Sequence, residues 1–562
     1  MRRSTSVAIA VLAAGCAAKQ MGSLVVQGDH HVLRPRAGDA PASSPGRPPI
    51  LLVALDGVGR DLLYAELRSG KLPSFARLLG GAGGDFAHAH FSDHLLSTLP
   101  STTMAAWMTA MTGVGPAEHG VTGNEYFIRE EARFACPAPV SFSSAEPTLE
   151  IYTEDYLDKL GASRTAYERM RDTDPTLLAW VAMHGVYRGA DTLLLAKRAA
   201  TVTAFQDFVE AEVRRHLSDS ASRALYENLD SSVVDDVTTS LATGTVPDVL
   251  TLYLSGTDLY AHIASEGPDK ARISYLEHVV DPLLAKLVAA LDARHALAGR
   301  WVVVTADHGH TQVVNDDAHA LSTKPGEDPP SVLEAAGFRL RPFKRDVDAK
   351  DPFSAVLAYG GAMAYVYLAN RALCPGSKDV CDWKQPPRYE DDVLAAAEAF
   401  YKNNADGSVT PAMKGALDMI LVRRPRPYAQ VDLPFEVYVG DGKTTQVDVW
   451  LHEHPHPTYV YVEDRLHDLA VGRYGERAGD ILLLAHNGDR DRPEDRFYFA
   501  APYRSWHGSP SKQDSEIPLI VANSAHAAAD IGAYVGKLLG DRPFQQKVTD
   551  VLLGLRAGAL GK

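Results

Sequence analysis

Residues 301–310 read Trp-Val-Val-Val-Thr-Ala-Asp-His-Gly-His. The apolar, β-branched run Trp301 to Thr305 is a buried strand by its composition, and Asp307-His308-Gly309-His310 closes it. Packing does not explain a carboxylate followed at once by an imidazole at a strand end. Both are metal-ligand chemistry, oxygen and nitrogen, and this junction is where a ligating pair is expected.

Three more runs of the same kind lie far apart in the chain. Pro49 to Leu55 (PILLVAL) ends at Asp56-Gly57, Val249 to Leu254 (VLTLYL) ends near Asp258, and Ile517 to Ala522 reads IPLIVA. Between the second strand and Trp301, Lys270 to Leu297 has helical periodicity, with Ile273, Leu276, Val279, Val280, Leu283, Leu284 and Leu287 on one side. Strand, helix, strand is a right-handed crossover, so parallel pairing is expected. Ligands of open α/β sheets sit off the carboxyl ends of the strands. Asp56, Asp258 and Asp307 are therefore expected to share one site.

Two long stretches break this rhythm. Residues 126–245 read as a mainly helical insertion, with Thr192 to Leu217 amphipathic and Asp219 to Thr243 lacking alternation. Residues 320–500 read as a mixed insertion with short apolar runs such as Met363 to Leu368. The expected organisation is an α/β core over 49–562, a mostly parallel sheet flanked by helices, interrupted twice. The chain has 562 residues, 46% hydrophobic and 23% charged, which fits a globular protein with a large core and excludes wholesale disorder or a polytopic membrane protein. With 56 Lys+Arg against 71 Asp+Glu the net charge is −15, so a duplex-coating surface is not expected. A site that takes anions must bring its own positive charge.

The first residues read as an address. Arg2-Arg3, the short apolar run Val7 to Ala14 and Leu12-Ala13-Ala14-Gly15-Cys16 fit a signal peptide over 1–15 that ends in a bacterial lipobox, with Cys16 lipidated. An exported protein held in the cell envelope through that lipid anchor is the expectation. An ordinary signal peptide that happens to contain Cys is the other reading. Residues 16–48, rich in Pro, Gly, Ala and Ser and containing His30 and His31, read as a tether. Of four cysteines, Cys374 and Cys381 flank a Pro-Gly-Ser turn and are close enough to pair, leaving Cys136 over. No C-x-x-C pair exists.

The chemistry lies in five separated clusters. Asp56-Gly57 alone is an ordinary turn signal. Pro100-Ser101-Thr102-Thr103 before an apolar helical stretch is, taken alone, an N-cap. Asp258 and His262 are four apart, so one helical turn puts both on one face, in reach of a single ion. Asp307-His308 is the pair already named, and Trp506-His507-Gly508 says little by itself. Among the other histidines, His452, His454 and His456 alternate with Glu and Pro in a loop, and His88, His90 and His94 have strand-like spacing; both groups read as packed or solvated.

Taken together, the clusters resemble the alkaline phosphatase superfamily, most closely its type I phosphodiesterase/nucleotide pyrophosphatase branch. The resemblance rests on LLVALDGVGRD at 51–61, PSTTMAAWMTAMTGVGPAEHGVTGN at 100–124, D-x-x-x-H at 258–262, TADHGH at 305–310 and SWHGSP at 505–510, in the family's order. Thr112-Gly113, Pro116 and His119-Gly120 fit its T-G-x-x-P-x-x-H-G pattern. The resemblance implies two zinc ions, one held by Asp56, Thr103, Asp307 and His308, the other by Asp258, His262 and His507. The mixed oxygen and nitrogen set agrees with zinc; an all-oxygen set would suit Mg²⁺ or Ca²⁺. It also implies that Thr103 is the nucleophile, forming a phospho-threonine, and that Asn124 donates to a phosphoryl oxygen. Two Zn²⁺ against three Asp leave a formal charge of about +1, which an ionised Thr103 brings to zero. Such a site receives an anion inside an acidic chain.

Sulfatases require a modifiable residue in C-x-P-x-R, which Thr103-Met104-Ala105 does not offer. Phosphoethanolamine transferases carry membrane helices, and no later segment offers 18 uninterrupted apolar residues. Phosphomonoesterases of this type add a K-x-R clamp, absent from 125–257. A small anionic phosphodiester or pyrophosphate is the expected substrate. Arg129, Arg164 and Arg188 are the residues that would supply a clamp instead, and Tyr126, Tyr260 and Trp506 the candidate apolar walls. A phosphomonoesterase and a non-catalytic ligand-binding lipoprotein are the alternatives. Neither the leaving group nor the oligomeric state is written in the sequence.

Overall fold

The computed structural model describes residues 30–34, 47–81, 85–138, 140, 163–214, 223–322, 326–342, 350–426, 433–488, 492–558 and 560. The expected signal peptide and the expected lipidation site Cys16 lie outside these residues. Among the described residues no helix is long and apolar enough to cross a membrane.

The core is an eight-stranded sheet in the order His30–Val32, Thr192–Leu194, Ala179–Ala182, Val249–Leu254, Ile50–Leu55, Trp301–Ala306, Leu519–Ala522, Ala89–Phe91. The five strands from Thr192–Leu194 to Trp301–Ala306 are parallel. The outer pairings are antiparallel. Ile50–Leu55, Val249–Leu254 and Trp301–Ala306 are buried at every position, which is why they read as continuous apolar runs rather than alternating ones. Val249–Leu254 and Trp301–Ala306 do not pair with each other; both flank Ile50–Leu55, with Leu55 level with Leu254 on one side and Ala306 on the other. Three chemistry-bearing strand ends therefore finish at one level, side by side.

The connection between them is helical, as its periodicity predicts: Pro268–Tyr275, a π-helical turn Leu276–Val280, and Asp281–Ala293. The stretch 126–245 departs from its expected character. It supplies the hairpin Tyr126–Ile128 with Arg133–Ala135, and two strands, Ala179–Ala182 and Thr192–Leu194, that extend the main sheet. Thr192–Leu194 opens the segment expected to be one amphipathic helix; the helices are Arg198–Arg214 and Arg223–Thr243. AWVA and TLL are too short for any alternation to register, and only long-range pairing makes them strands. His30–Val32, inside the expected tether, likewise pairs with Thr192–Leu194.

Residues 355–485 form a second, six-stranded antiparallel sheet, in the order Ala355–Gly360, Met363–Leu368, Ile481–Ala485, Leu417–Val422, Glu436–Gly440, Lys443–Thr445. Cys374 and Cys381 form a disulfide on the chain leaving Met363–Leu368, with Cα atoms 5.2 Å apart, and Cys136 is free and buried. A two-stranded ribbon, Thr311–Gln312 against Ser505–Trp506, ties the end of the Trp301–Ala306 strand to the residues before His507.

Candidate functional site

Asp56, Asp258 and Asp307 follow the three aligned strands, and all are buried. Asp258 and His262 occupy one helix, Gly256–Ile263, as the four-residue spacing requires. The ribbon pairs Thr311 with Trp506, which carries His507 to His308. Thr103 is the first residue of the buried helix Thr103–Thr112. Its Oγ1 lies 3.2 Å from His308 Nε2. Asn124 Oδ1 accepts the Met104 N–H at 2.9 Å, which pins the amide across the start of that helix.

Atoms able to ligate a metal lie within 4.8 Å of one another in Asp56 with Asp307 and His308, and in Asp258 with His262 and His507. A third grouping, Asp258 with His308 and His310, bridges them. His308 Nε2 is 3.5 Å from Asp56 Oδ1 and 3.4 Å from Asp307 Oδ2, and His262 Nε2 is 3.4 Å from Asp258 Oδ1.

Each imidazole is oriented by a hydrogen bond on its far side. Nδ1 of His262 donates to the Ser505 carbonyl at 2.6 Å, Nδ1 of His308 to the Gly309 carbonyl at 2.9 Å, and Nδ1 of His507 to the Ser101 carbonyl at 2.9 Å. A carbonyl only accepts, so the ring proton sits on Nδ1 and the Nε2 lone pair faces the cluster. This is the outer support characteristic of metal-ligating histidines. The carboxylates are held in the same way. Asp307 Oδ1 accepts the Gly57 and His308 N–H groups at 3.1 and 2.9 Å, and Asp56 Oδ2 accepts the Tyr253 hydroxyl. Asp56 Oδ1 and Asp307 Oδ2 are buried with no hydrogen-bond partner. Buried carboxylate oxygens without a donor are costly. A cation between them removes that cost, so the residues present fit a metal.

The electrostatics agree. Burial, then the neighbouring Asp307 and Asp258, push the Asp56 carboxyl well above the usual carboxylate range. Burial lifts Asp307 as well. His507 is held well below the usual histidine range by burial and by His308 beside it. A neutral imidazole with crowded carboxylates is a site that lacks only positive charge.

A family profile described as type I phosphodiesterase / nucleotide pyrophosphatase matches residues 50–372, more than half of the chain. The chain belongs to this family. Its members are metal-dependent hydrolases of phosphoric esters, and the matched span holds every candidate ligand except His507. A curated relative, the 2,3-bisphosphoglycerate-independent phosphoglycerate mutase of Ruegeria pomeroyi, is 29% identical over 182 residues, covering 30% of this chain and 34% of the relative. The match thus spans about a third of that protein's length. Among solved structures, murine ectonucleotide pyrophosphatase / phosphodiesterase 5 is similar with a TM-score of 0.47 and 13% identity, covering 91% of this chain and 95% of that one. An inactive form of the murine protein in complex with AMP gives a TM-score of 0.46 at 13% identity, over 91% of this chain and 95% of that one. The human counterpart gives 0.44 at 12% identity, over 87% and 94% respectively.

Three site residues escaped the sequence. His310 stands in the opening motif, yet its role shows only in space: Nε2 lies 2.6 Å from Asp258 Oδ1 and Nδ1 is 3.0 Å from Ser505 Oγ. Tyr253 is the polar-tipped position of a buried strand, which was the available signal. Asp514 had none. It accepts from Thr311 Oγ1, Ser509 N and Ser509 Oγ at 2.7, 3.0 and 2.6 Å, joining the two loops that carry His308 and His507.

The residues offered as a clamp are engaged elsewhere. Arg129 pairs with Asp480, Arg164 with Asp172, and Arg188 with Glu168. The proposed apolar walls are also committed: Tyr126 is fully buried, Tyr260 packs against Tyr226 and Tyr275, and Trp506 lies on His262 with ring centroids 4.7 Å apart. A cavity of about 720 Å³ lies beyond His310, lined by Arg60, Arg272, Thr311 and Lys512. Neither Thr103 nor Asn124 borders it, and Arg60 and Arg272 are neutralised by Glu516 and Asp269.

Proposed function

We propose that the chain is a zinc-dependent hydrolase of phosphodiesters or pyrophosphates that uses Thr103 as its nucleophile. The supporting observation is the position of Thr103 Oγ1, 3.2 Å from His308 Nε2, beside carboxylate oxygens that have no other partner. The two sets are Asp56, Thr103, Asp307 and His308 for one ion, and Asp258, His262 and His507 for the other. Bound zinc supplies the positive charge that lowers the hydroxyl's pKa and offsets the charge at phosphorus.

Thr103 Oγ1 attacks phosphorus in line as the bond to the leaving oxygen breaks; the hydroxyl proton ends on that oxygen, giving an alcohol or nucleotide and a phospho-threonine that still carries the second substituent. Water then cleaves the threonine ester, restores the hydroxyl and releases the phosphate with that substituent. Asn124 spends its oxygen on the Met104 N–H, which turns its NH₂ out as the donor to a non-bridging oxygen. The N–H groups at the start of the Thr103–Thr112 helix favour the same negative charge.

A diester is favoured over a monoester because a monoester dianion needs further cationic donors. The three arginines named for that role, Arg129, Arg164 and Arg188, are paired with carboxylates elsewhere. The test compares kcat/KM for a nitrophenyl monoester and its methyl diester on zinc-loaded protein. The diester is expected to win. A monoester preference of about a hundredfold, roughly 2.7 kcal/mol at the transition state, reverses the assignment, and no turnover of either makes the protein a binder. We further propose export and anchoring through a lipidated Cys16. Cys16→Ser is expected to release soluble protein, and unchanged membrane fractionation overturns the anchor.

A further inference from the structure

Asp230, in the helix Arg223–Thr243, is completely buried and belongs to none of the site motifs. Its carboxylate faces donors. Oδ1 accepts the Ser255 and Gly256 N–H groups at 3.2 and 3.4 Å, and Oδ2 accepts the Gly256 N–H at 3.2 Å and the Tyr275 hydroxyl at 2.9 Å. Ser255 and Gly256 begin the helix Gly256–Ile263, whose third and seventh residues are Asp258 and His262. That helix has no side-chain cap of its own, and the Ser255 and Thr257 hydroxyls make no hydrogen bond. The unpaired N–H groups that every helix start carries are satisfied here by a carboxylate from a different helix.

The contact is close by construction. A Cβ on Gly256 would lie 1.9 Å from the Tyr275 hydroxyl oxygen and 2.8 Å from Asp230 Oδ2. The side-chain-free position lets the carboxylate and the phenol reach the backbone.

We propose that Asp230 is a positioning residue for the metal centre, a cap supplied from a neighbouring helix that fixes the start of Gly256–Ile263 and so holds Asp258 and His262 in ligating register. This rests on reading those two residues as ligands. The carboxylate suits the task twice over: it accepts from two consecutive N–H groups, and its charge complements the positive end of the helix. An amide of the same shape offers one acceptor oxygen and presents N–H hydrogens where donors already stand.

The surroundings make the cap sensitive to pH. Burial lifts the Asp230 carboxyl to about 7 against its hydrogen bonds from Tyr275, Gly256 and Ser255. Tyr226 and Glu227 flank it on its own helix, with the Tyr226 hydroxyl donating to Asp207 of Arg198–Arg214 at 2.9 Å. Tyr275 faces it from Pro268–Tyr275, and the ring of Tyr260, from the capped helix, packs on Tyr226 and Tyr275. The cation on its helix, Arg223, is directed to Ser274 at 2.8 Å. The charge therefore rests on donors alone. Protonation below about pH 7 removes both an acceptor and the charge.

The experiment measures zinc affinity without substrate, by competition with a chromogenic chelator, for the wild type and Asp230→Asn at pH 8 and pH 6. At pH 8 the variant is expected to bind one zinc tenfold or more weakly. At pH 6, where the wild-type carboxyl is itself protonated, the gap is expected to shrink several-fold. Equal affinity at pH 8, with only a lower Tm, overturns the proposal. If Asp230→Asn does not fold, Tyr275→Phe removes one donor and leaves the carboxylate in place. A several-fold loss of zinc affinity in that variant supports the cap, and no loss overturns it. Asp258→Ala is the control for the underlying reading. If it keeps full affinity, the ligand assignment itself fails. If it loses zinc while Asp230→Asn does not, only the cap fails.

Discussion

The imidazole rings of His308 and His507 lie stacked, with centroids 3.5 Å apart and planes 15° from parallel. Two protonated rings do not tolerate that distance, and burial keeps His507 neutral. The stack is the seam between the two candidate ligand groups, since His308 belongs with Asp56 and Asp307, and His507 with Asp258 and His262. It also places the Thr103 hydroxyl, 3.2 Å from His308 Nε2, at that seam. One centre built from two half-sites predicts separable losses when either half is cut.

Elemental analysis of purified protein is expected to give about two zinc per chain. Asp307→Ala should lose the ion on the Thr103 side, and His507→Ala the ion on the Asp258 side, each leaving about one. A fully active, metal-free preparation would refute the two-ion reading.

The nucleophile is tested against its neighbours. Ser101 Oγ donates to the Ser509 carbonyl at 2.8 Å and the buried Thr102 hydroxyl has no hydrogen-bond partner, whereas Thr103 Oγ1 lies 3.2 Å from His308 Nε2. Thr103→Ala is expected to lower kcat/KM by about a thousandfold or more, roughly 4 kcal/mol of transition-state stabilisation, with unchanged circular dichroism. Thr102→Ala should stay within tenfold of wild type. The opposite pattern would move the nucleophile by one residue.

Much of this centre was legible because its chemistry sits at strand ends. Asp56, Asp258 and Asp307 each follow a continuous apolar run, and the parallel arrangement of such runs carries their ends to one level. Spacing alone put Asp258 and His262 on one helical face. What escaped was whatever depends on partners distant in sequence. Ala179–Ala182 is a strand only because Val249–Leu254 pairs beside it, and Thr192–Leu194 only because Ala179–Ala182 does, so 126–245 read as mainly helical. The supports from Tyr253, Asp230 and Asp514 reach the site across turns and helices, and no spacing rule marks an acid that caps a helix other than its own.

His119 predicts the acid limb of stability. Its ring is fully buried, with Nε2 3.0 Å from Thr109 Oγ1 and Nδ1 accepting the Val121 N–H at 3.2 Å. Burial lowers its pKa to about 3. In the unfolded chain it titrates near ~6.5, so between these values the unfolded state binds the extra proton. Stability should therefore fall as pH drops from about 6.5 toward 3. His119→Gln, with no proton to gain, should show a shallower decline in urea-melt midpoints over that window on chelator-treated protein. Parallel curves would show that His119 does not set the limb.

Gly309 tests whether the loop that follows Asp307-His308 tolerates any side chain. Its N–H donates to the Asp514 carbonyl at 2.9 Å. A Cβ there would lie 2.0 Å from the Gln513 carbonyl oxygen and 3.5 Å from the Gly59 Cα. The nearest obstacle is backbone, so no rotamer change relieves it. The segment 309–311 would have to move away from 513–514, pulling on the Asp514 bonds to Thr311 and Ser509 that join the His308 and His507 loops. Gly309→Ala is therefore expected to cost about 2–4 kcal/mol of stability and to weaken zinc binding at both half-sites together. That distinguishes it from Asp307→Ala and His507→Ala, which should each remove one ion. Calorimetric melting with and without zinc provides the measurement. A variant that binds two ions with wild-type affinity would show that the two loops are not rigidly coupled.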